Sequence, residues 1–436
     1  MAAALLVLVG GGGSARAGSD THYQDQLIGE RAAGMGGAFI ALANEATGAF
    51  YNPAGIVGER STLIQLQMSA YKWRRKTSVA IDLCGRRIER DEGQLFGFPA
   101  SLGFAKRFSG PRHTRHAVGL LLTIPYASKE SNAYAVRDVN CAGFRVDGGG
   151  ATYVTDRVFV GGLTYAFGWR WLSVGLSAGL AVRGTGAAIN VSALAASLAQ
   201  HPLSSMSYVD GTVWSFYLKA GVIAEPVKGL RFGLAVTSPY VRITGEGRID
   251  SYLASIAGLR GTVTRLLLDD AQLYWKVPLQ LGVGVAWRHG ALTLAADARL
   301  HLPVARYALV THAQLPATSY SERELTINAN IGAQLELGVI SLRAGFFTNL
   351  SSFPRLDATA PALAEHIDLF GLTVGATLQT NAHSALSLNV QLLFGSGERV
   401  ALEISDAAGS IAVRNVLTDV SEVSLVFGLG GRFDVW

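Results

Sequence analysis

The side chains with the clearest chemical potential lie on one face of an alternating segment, residues 292–302. Alternation puts Asp297, Arg299 and His301 on one side, opposite a row of leucines and alanines. His301 near Asp297 is the closest approach to a general acid–base dyad in the sequence. Same-face neighbours two or four residues apart are more often an ion pair in a solvated interior, and we favour that interpretation here.

Other catalytic and ligand-binding patterns are missing from the sequence. The nine histidines are otherwise scattered, and there is no Walker loop, zinc-ligand spacing or EF-hand loop. We therefore predict that the protein is not an enzyme and has no cofactor or metal site. The formal charge of +5 is spread over 436 residues without a dense Lys/Arg face, which argues against nucleic acid as a partner.

Four cations are predicted by alternation to point into an interior. Each of them is able to hold the carboxylate of a ligand. The alternative, which we favour for each residue taken separately, is charge balance with inward acids such as Asp297 and Glu336. The four candidates are Arg183, Lys219, Arg299 and Arg343.

Composition indicates a transmembrane barrel. The mean hydropathy is +0.28 and only 16% of residues are charged, yet no apolar run approaches the ~20 residues of a membrane helix. High apolarity without such a run is typical of a β-barrel, in which apolar residues occupy every second position.

Fourteen alternating segments follow residue 60, an even number. They are 61–72, 95–108, 115–128, 152–167, 171–185, 211–225, 230–246, 273–288, 291–306, 324–337, 339–351, 368–380, 384–394 and 422–436. We predict an all-β fold, a fourteen-stranded antiparallel transmembrane barrel.

The connections alternate between long and short. Seven long ones, such as 73–94 and 129–151, follow odd-numbered segments, and short ones such as 168–170 follow even-numbered segments. This asymmetry is typical of outer-membrane barrels, with short periplasmic turns and long outer loops. Two outer loops, 191–200 and 251–259, have helical composition, and we expect short amphipathic helices there.

The predicted faces separate apolar from polar residues. Leu386, Leu388, Val390 and Leu392 alternate with Ser387, Asn389 and Gln391. Apolar odd positions of 325–337 likewise alternate with Asn328, Asn330, Gln334 and Glu336. Aromatic residues near predicted strand ends suit a membrane-interface girdle. These are Trp169, Trp171, Tyr274, Trp275, Trp287 and Trp436.

Only two cysteines are present, too few for a zinc site or a disulfide scaffold. Cys84 and Cys141 fall in the first and second predicted outer loops, which neighbouring hairpins bring together. An exported protein favours oxidation. We therefore predict one disulfide between them.

The N-terminus resembles an export signal. Residues 2–9 are apolar, and Ala15-Arg16-Ala17 is a small-x-small cleavage site, although a basic n-region is missing. We predict a signal peptide over 1–17, a separate small-residue domain over 18–60 and the barrel over 61–436.

The 31–58 segment does not have a strand pattern. Gly34, Gly36 and Gly37 permit a tight turn or a close approach, and 38–43 has helical composition. In Asn52-Pro53-Ala54-Gly55, the asparagine suits a helix cap, the proline a first helical position and the glycine a helix end. We predict a compact, plug-like segment.

The pattern R-x-x-G-M-G-G-A-F-x-A…Y-N-P-A-G, from Arg31 to Gly55, resembles the N-terminal hatch of the FadL/TodX family of outer-membrane transporters. Diffuse strand patterns extend the resemblance over nearly the whole mature chain, for example at Trp275-Lys276-Val277-Pro278 and Leu342–Phe346. The hatch residues carried over are Arg31, Gly34, Gly36, Gly37, Asn52, Pro53, Ala54 and Gly55. No local motif fixes the family's ligand-contacting residues here.

The resemblance implies a passive transporter of hydrophobic compounds, long-chain fatty acids or hydrocarbons, in the outer membrane of a Gram-negative bacterium. It further implies capture of ligand at the outer loops, a lumenal pocket, contact with outer-membrane lipid and a monomeric barrel. The alternatives are a structural barrel that binds partner proteins and a general polar porin, which the plug and the apolar outer segments disfavour.

Pro125 lies within the third predicted strand. Proline has no N–H for the ladder, so a closed barrel tolerates it only at a bulge, a kink or a strand end. The resemblance implies a kinked third strand with a lateral exit into the bilayer, and we expect a break near Pro125. The alternative is that Pro125 merely ends the strand.

Overall fold

The computed structural model describes residues 21–58, 62–141, 144–195, 203–257, 260–314, 320–357, 360, 364–407 and 410–435. Four short helices precede or separate the first strands. They are α1 Glu30–Gly34 and the 3₁₀ helices η1 Ala46–Phe50, η2 Pro53–Gly58 and η3 Pro111–His113.

The strands run from residue 62 to the end of the described chain. They are β1 Thr62–Leu83, β2 Arg86–Ser109, β3 Thr114–Cys141, β4 Phe144–Trp169, β5 Leu172–Ala195, β6 Leu203–Val227, β7 Leu230–Thr237, β8 Val241–Ala257, β9 Arg260–Leu273, β10 Gln280–His289, β11 Leu292–His301, β12 Val304–Ala308, β13 Val310–Thr311, β14 Tyr320–Arg323, β15 Thr326–Leu337, β16 Ile340–Asn349, β17 Glu365–Asn381, β18 Ser384–Ala407 and β19 Ser410–Val435.

These strands form one closed antiparallel barrel with fourteen wall positions, which confirms the predicted fold class. Four of these positions are each built from two or three consecutive strands with a short break between them. They are β7 and β8, β9 and β10, β11 to β13, and β14 and β15. The wall closes where β19 pairs with β1, from Thr62 opposite Val435 to Ser78 opposite Val420. Closure removes the free edges of the sheet, and the separate pair of β12 and β14 lies outside the main ladder.

The first six strands are 22 to 28 residues long. About 9–11 residues suffice to cross a bilayer, so these strands continue outward as hairpins. The predicted long loops 73–94 and 129–151 are therefore mostly strand, which corrects the sequence-based expectation. Cys84 and Gly85, with φ values of 51° and 84°, form the tight turn at the tip of the first hairpin.

The two expected outer-loop helices are wrong wherever the structure describes them. Val191–Ala195 continues β5 and pairs with β6, and Ser251–Ala257 continues β8 and pairs with β9. Ladder hydrogen bonds to a neighbouring hairpin outweigh the weak helix preference of Ala, Leu and Ser. The rest of both segments, 196–200 and 258–259, lies outside the described residues.

The predicted inward and outward faces are confirmed. In β11, Asp297, Arg299 and His301 are buried in the lumen, while Leu294 points outward. Exposed large apolar side chains continue around the outer wall, as a lipid-facing surface requires. The described residues include no helix long and apolar enough to span a membrane.

Residues 21–58, here called the N-terminal segment, lie in the lumen against strands all around the barrel. α1 contacts β16, β17, β18 and β19, whereas η2 contacts β2 to β6 on the other side. At these contacts the wall carries glycines, which have no side chain to separate the segment from the wall backbone. A Cβ on Gly221 of β6 would overlap Asn52 Oδ1, and a Cβ on Gly345 of β16 would overlap Gly36 N. Glycine thus permits the segment to touch the wall backbone.

Candidate functional site

Asn52 fixes the N-terminal segment to the wall. Its side-chain amide donates to the carbonyl oxygens of Ile40 and Val222, each at 3.0 Å, and its Oδ1 accepts from the backbone N–H of Ala54 at 3.1 Å. Pro53 begins η2, as predicted from its missing N–H. The helix runs to Gly58 rather than ending at Gly55, which corrects the predicted helix end.

The helical expectation for 38–43 is also wrong. Those residues form turns, with Ala43 N–H donating to Phe39 O, while the short α-helix lies earlier, at Glu30–Gly34. The glycines at 34, 36 and 37 explain the difference, because Gly36 and Gly37 adopt positive φ and end α1.

Asp297 and Arg299 anchor the segment rather than forming part of a catalytic dyad. Asp297 Oδ2 accepts hydrogen bonds from the backbone N–H groups of Phe39 and Ile40 at 2.6 and 2.9 Å. Arg299 donates to Gly37 O at 2.6 Å and lies over the ring of Tyr51. His301 is stacked on Tyr23, with ring centroids 3.8 Å apart. The charge-balance interpretation therefore describes this face.

Arg343, the second predicted cation near the segment, also has a supporting role. It donates to Thr377 Oγ1 at 2.6 Å and to Gln334 Oε1 at 3.1 Å, directly beneath Gly34. Arg31 reaches the same Gln334 oxygen at 2.7 Å. Both guanidinium groups are used in holding the segment.

Two acidic side chains of the N-terminal segment itself are buried. Glu30 is 4% exposed and Glu45 is 5% exposed. Burial, together with the negative charge of Glu45, raises the pKa of Glu30 to about 8. Burial thus favours the protonated form of Glu30, while Glu45 lies 3.6 Å from Arg31.

Lys219 borders two small cavities, and Arg299 also lines the smaller of them. Its ammonium contacts Phe50 O and lies 4.9 Å from the centre of the Phe50 ring. In the part of the chain that the structure describes, Lys219 makes no ion pair. It is 9% exposed, so this is a nearly buried cation without a carboxylate partner.

Two small cavities, of about 60 and 40 Å³, meet at this lysine. Both are lined by Phe50, Lys219, Thr237 and Gln280. The larger one adds an apolar wall from β3, β4, β6 and the interruptions between β7 and β8 and between β9 and β10, together with the hydroxyl groups of Thr164 and Ser177. That wall comprises Leu121, Val160, Gly162, Tyr217, Tyr240, Val277 and Pro278.

An aromatic cluster covers the larger cavity. Tyr217 and Tyr240 are stacked at 5.2 Å, and Trp275 packs edge-on against Tyr240 at 5.4 Å. Trp275 is buried, which corrects its expected place in the interface girdle: the interruption at 274–279 turns its ring into the lumen. Trp169, Trp171 and Trp287 are exposed, and Trp436 lies outside the described residues.

Arg183 supports this aromatic cover. It forms a two-point pair with Asp156, at 2.9 and 2.6 Å, and lies 5.7 Å from the Trp275 ring centre. Its charge is already compensated, which favours the charge-balance interpretation over a ligand-binding one.

The wall around the cavity departs from a regular ladder at Pro125. β3 is continuous, so the expected break is wrong, but its register with β4 shifts between Thr123 and Tyr126. The β2–β3 ladder ends at the pair Ser101 and Thr123, while each strand keeps its other neighbour further out. Pro125 thus lies in a bulge at the point where β2 and β3 separate.

Sequence reasoning missed a row of buried charges in the lumen, which begins at Asp25 of the N-terminal segment. Lys72 pairs with Asp25 at 3.0 Å, Arg74 with Glu130 at 3.1 Å, and Arg399 with Glu365 at 3.1 Å. Lys76 also contacts Glu365. A signal was present in the sequence, because Lys72, Arg74 and Lys76 alternate with period two. It was missed because the first predicted strand ended at residue 72, so that Arg74 and Lys76 fell in a predicted loop.

Cys84 is disulfide-bonded, and no described cysteine is free. The sequence contains one other cysteine, Cys141, whose side chain lies outside the described ones. The Cys84–Cys141 pair stays our prediction. Among described residues, no group of three or more His, Cys, Asp and Glu side chains is placed to hold a metal ion.

Fold and lumen together define a transmembrane β-barrel whose lumen holds its own N-terminal segment. Three solved structures are similar over almost their whole length. A Pseudomonas aeruginosa FadL homologue is 13% identical, with a TM-score of 0.67, over 95% of this chain and 99% of that one. The P. putida toluene transporter TodX is 15% identical, with a TM-score of 0.57, over 94% and 99%.

The third is the Ralstonia pickettii toluene transporter TbuX, 14% identical with a TM-score of 0.54 over 93% of this chain and 98% of that one. No protein-family model and no curated protein sequence matches the chain. At these identities the likeness concerns the fold. The chain has the fold of the FadL/TodX family.

Proposed function

We propose that the protein is a passive transporter of hydrophobic compounds in the outer membrane of a Gram-negative bacterium, with fatty acids or hydrocarbons as the candidate substrates. The observation that carries this proposal is the cavity at Lys219 with its apolar wall. An apolar wall with one unpaired cation suits a hydrophobic molecule that ends in a carboxylate. The likeness to structures described as toluene transporters supports the class of compound.

Ligand entry requires movement of lining side chains. The two cavities, about 60 and 40 Å³, are smaller than the ~150 Å³ engineered cavity that binds benzene. Phe50 lines both and belongs to the N-terminal segment rather than to the wall. Displacement of Phe50 would join the two cavities around Lys219, and the N-terminal segment would then act as the hatch.

Equilibrium binding tests this proposal. Purified, delipidated protein is incubated with radiolabelled palmitate or toluene, as wild type, Lys219→Met and Lys129→Met. Lys129 is an exposed lysine on β3, so its variant makes the same change of charge away from the cavity. We expect Lys219→Met to weaken palmitate binding by about tenfold or more, with toluene binding retained, because a charge-assisted contact is lost.

Absence of binding of both compounds to the wild type would remove the transport proposal. That result would leave the barrel as a structural anchor for partner proteins. Equal palmitate binding by both lysine variants would remove Lys219 from the site while leaving the transport class standing.

For the exit, we propose the gap between β2 and β3 at Pro125, which leads from the lumen into the bilayer. A cysteine pair Ala100→Cys with Ile124→Cys, just beyond the last rung, would close this gap in a background without Cys84 and Cys141. The matched pair Leu102→Cys with Leu122→Cys lies within the existing ladder. Only the first cross-link should abolish uptake, and full uptake in both would exclude the lateral route.

A further inference from the structure

A further cavity, unlike the two at Lys219, lies at the end of the barrel that carries the short turns. Its volume is about 310 Å³, several times that of either cavity at the lysine. Residues of the N-terminal segment form its inner end, and the β4–β5 and β6–β7 turns form its rim. The lining includes two apolar residues, Leu42 and Ile223, and four cations, Arg115, Arg170, Lys228 and Arg231.

The lining is strongly basic. Four cations face one acid, Glu225. That acid is already engaged, because Arg231 Nε donates to it at 2.8 Å and the backbone N–H of Gly229 donates to it at 3.1 Å. Three positive charges therefore remain without a compensating carboxylate in the lining.

The three remaining cations surround the opening. Arg115 donates to Arg170 O at 3.2 Å, which holds its guanidinium across the rim, and Arg170 lies 5.0 Å from the Trp169 ring centre. Lys228 is exposed in the neighbouring turn. Among the described residues, none of these three belongs to an ion pair. Like charges held close together favour an anion between them.

The inner end of the same cavity is apolar. Leu42 and Ala54 from the N-terminal segment and Ile223 from β6 are all buried there, and Trp171 stands at the rim. A molecule that fills this space presents a negative group to the rim and a short apolar stretch to the inner end. Inorganic ions leave the apolar surface uncovered, whereas neutral hydrocarbons leave the cations unpaired.

We propose that this cavity binds the anionic headgroup of an amphiphile, a carboxylate or a phosphate, with the adjoining part of the chain against Leu42 and Ile223. Two sources share this chemistry: a free hydrophobic acid at this end of the barrel, and an anionic phospholipid of the periplasmic leaflet. The phospholipid as a source rests on the predicted orientation, in which the short turns face the periplasm. The binding site itself does not depend on that orientation.

Calorimetry tests the proposal with protein in phosphatidylcholine nanodiscs and hexyl phosphate, hexanoate or hexanol as probe. The variants are Arg115→Gln with Lys228→Gln, and the control Arg112→Gln. Arg112 is an exposed arginine at the same end of the barrel that does not line the cavity. We expect hexyl phosphate and hexanoate to bind the wild type and Arg112→Gln with equal affinity. Their affinity for the double variant should be lower by about tenfold or more, and hexanol should not bind.

Equal anion binding by the double variant and the control, or equal binding of hexanol and hexyl phosphate, would overturn the proposal. If the double variant does not fold, Arg170→Gln in the exposed turn replaces it, with the same expectation in direction. Lys219→Met should leave this binding unchanged, which separates the site from the proposed transport cavity.

Nanodiscs that contain phosphatidylglycerol distinguish the two sources. Weaker apparent binding of hexyl phosphate in those discs than in phosphatidylcholine alone identifies the phospholipid as the occupant. Equal binding in both kinds of disc identifies the free acid.

Discussion

The carboxylate of Asp297, on wall strand β11, accepts a 2.6 Å hydrogen bond from the backbone N–H of Phe39 in the N-terminal segment. The same oxygen accepts from Ile40, and Asp297 is 5% exposed. One buried wall carboxylate thus satisfies two backbone donors that the segment's turn leaves free. This contact is a direct link between the wall and the lumenal segment.

Substitution Asp297→Ala should loosen the N-terminal segment. It leaves two buried N–H groups unpaired and removes the acid 3.8 Å from Arg299, at a cost of about 3 kcal/mol in the free energy of unfolding. Urea unfolding in liposomes measures the loss, and liposome swelling with small sugars should show raised leakage. Asp269→Ala, at an exposed carboxylate in β9, is the control. Equal stability and leakage of the two variants would contradict the anchoring role.

The close approach of Asn52 to the wall gives a second prediction. Gly221→Ala places a Cβ on Asn52 Oδ1, so it should destabilise the protein by about 1–3 kcal/mol. Gly184→Ala in β5 is the matched control, because no atom lies within 4 Å of its added Cβ, and it should change stability by less than about 0.5 kcal/mol. Urea unfolding midpoints of the two variants test this prediction. Equal midpoints would show that the contact of Asn52 with the wall does not require glycine at position 221.

Much of this architecture was predictable from the sequence. The period-two pattern predicted the fourteen wall positions and placed Asp297, Arg183 and Lys219 on the lumenal face, because a strand leaves each side chain only two directions. It did not predict that 191–195 and 251–257 are strand, because pairing with a neighbouring hairpin is a long-range interaction that local composition does not encode.

The cavity was less predictable than the wall. Trp275 enters the lumen only because the wall strand is interrupted at 274–279, a departure that alternation cannot show. The charge balance of Arg183 depends on Asp156, which lies 27 residues away. The β4–β5 register pairs Asp156 with Thr185, and this places the carboxylate diagonally across from Arg183. Alternation thus identified the candidate cations, but only the contacts of each one show which cation at a cavity has no carboxylate partner.

Protonation of Glu30 predicts a pH dependence of stability. The pKa of this carboxyl is raised from 4.5 to about 8 by burial and by Glu45, so between these pH values the unfolded chain releases a proton that the folded protein keeps. Stability should therefore fall as pH rises through this window. Glu30→Gln should show a flatter dependence of the urea midpoint on pH, whereas Glu246→Gln, at an exposed residue, should follow the wild type. Identical slopes for Glu30→Gln and wild type would contradict the assignment.

The Cys84–Cys141 disulfide is tested by alkylation followed by mass spectrometry. Intact protein should incorporate no alkyl group without reductant and two after reduction. A bridge across 56 intervening residues would stabilise the protein by roughly 4 kcal/mol in the chain-entropy model. The Cys84→Ser, Cys141→Ser double variant should lose stability accordingly, and two reactive thiols in the unreduced protein would exclude the bridge.

The central claim is transport of hydrophobic compounds through the Lys219 cavity. The most direct measurement is uptake of radiolabelled oleate by cells of a Gram-negative host that lacks its own long-chain fatty-acid channel. Cells producing the wild type or Lys129→Met should accumulate label well above the empty-vector rate, and Lys219→Met should reduce the rate by about tenfold at equal amounts of folded protein in the outer membrane. Uptake at the empty-vector rate with folded wild-type protein, for oleate and for toluene alike, would contradict the account.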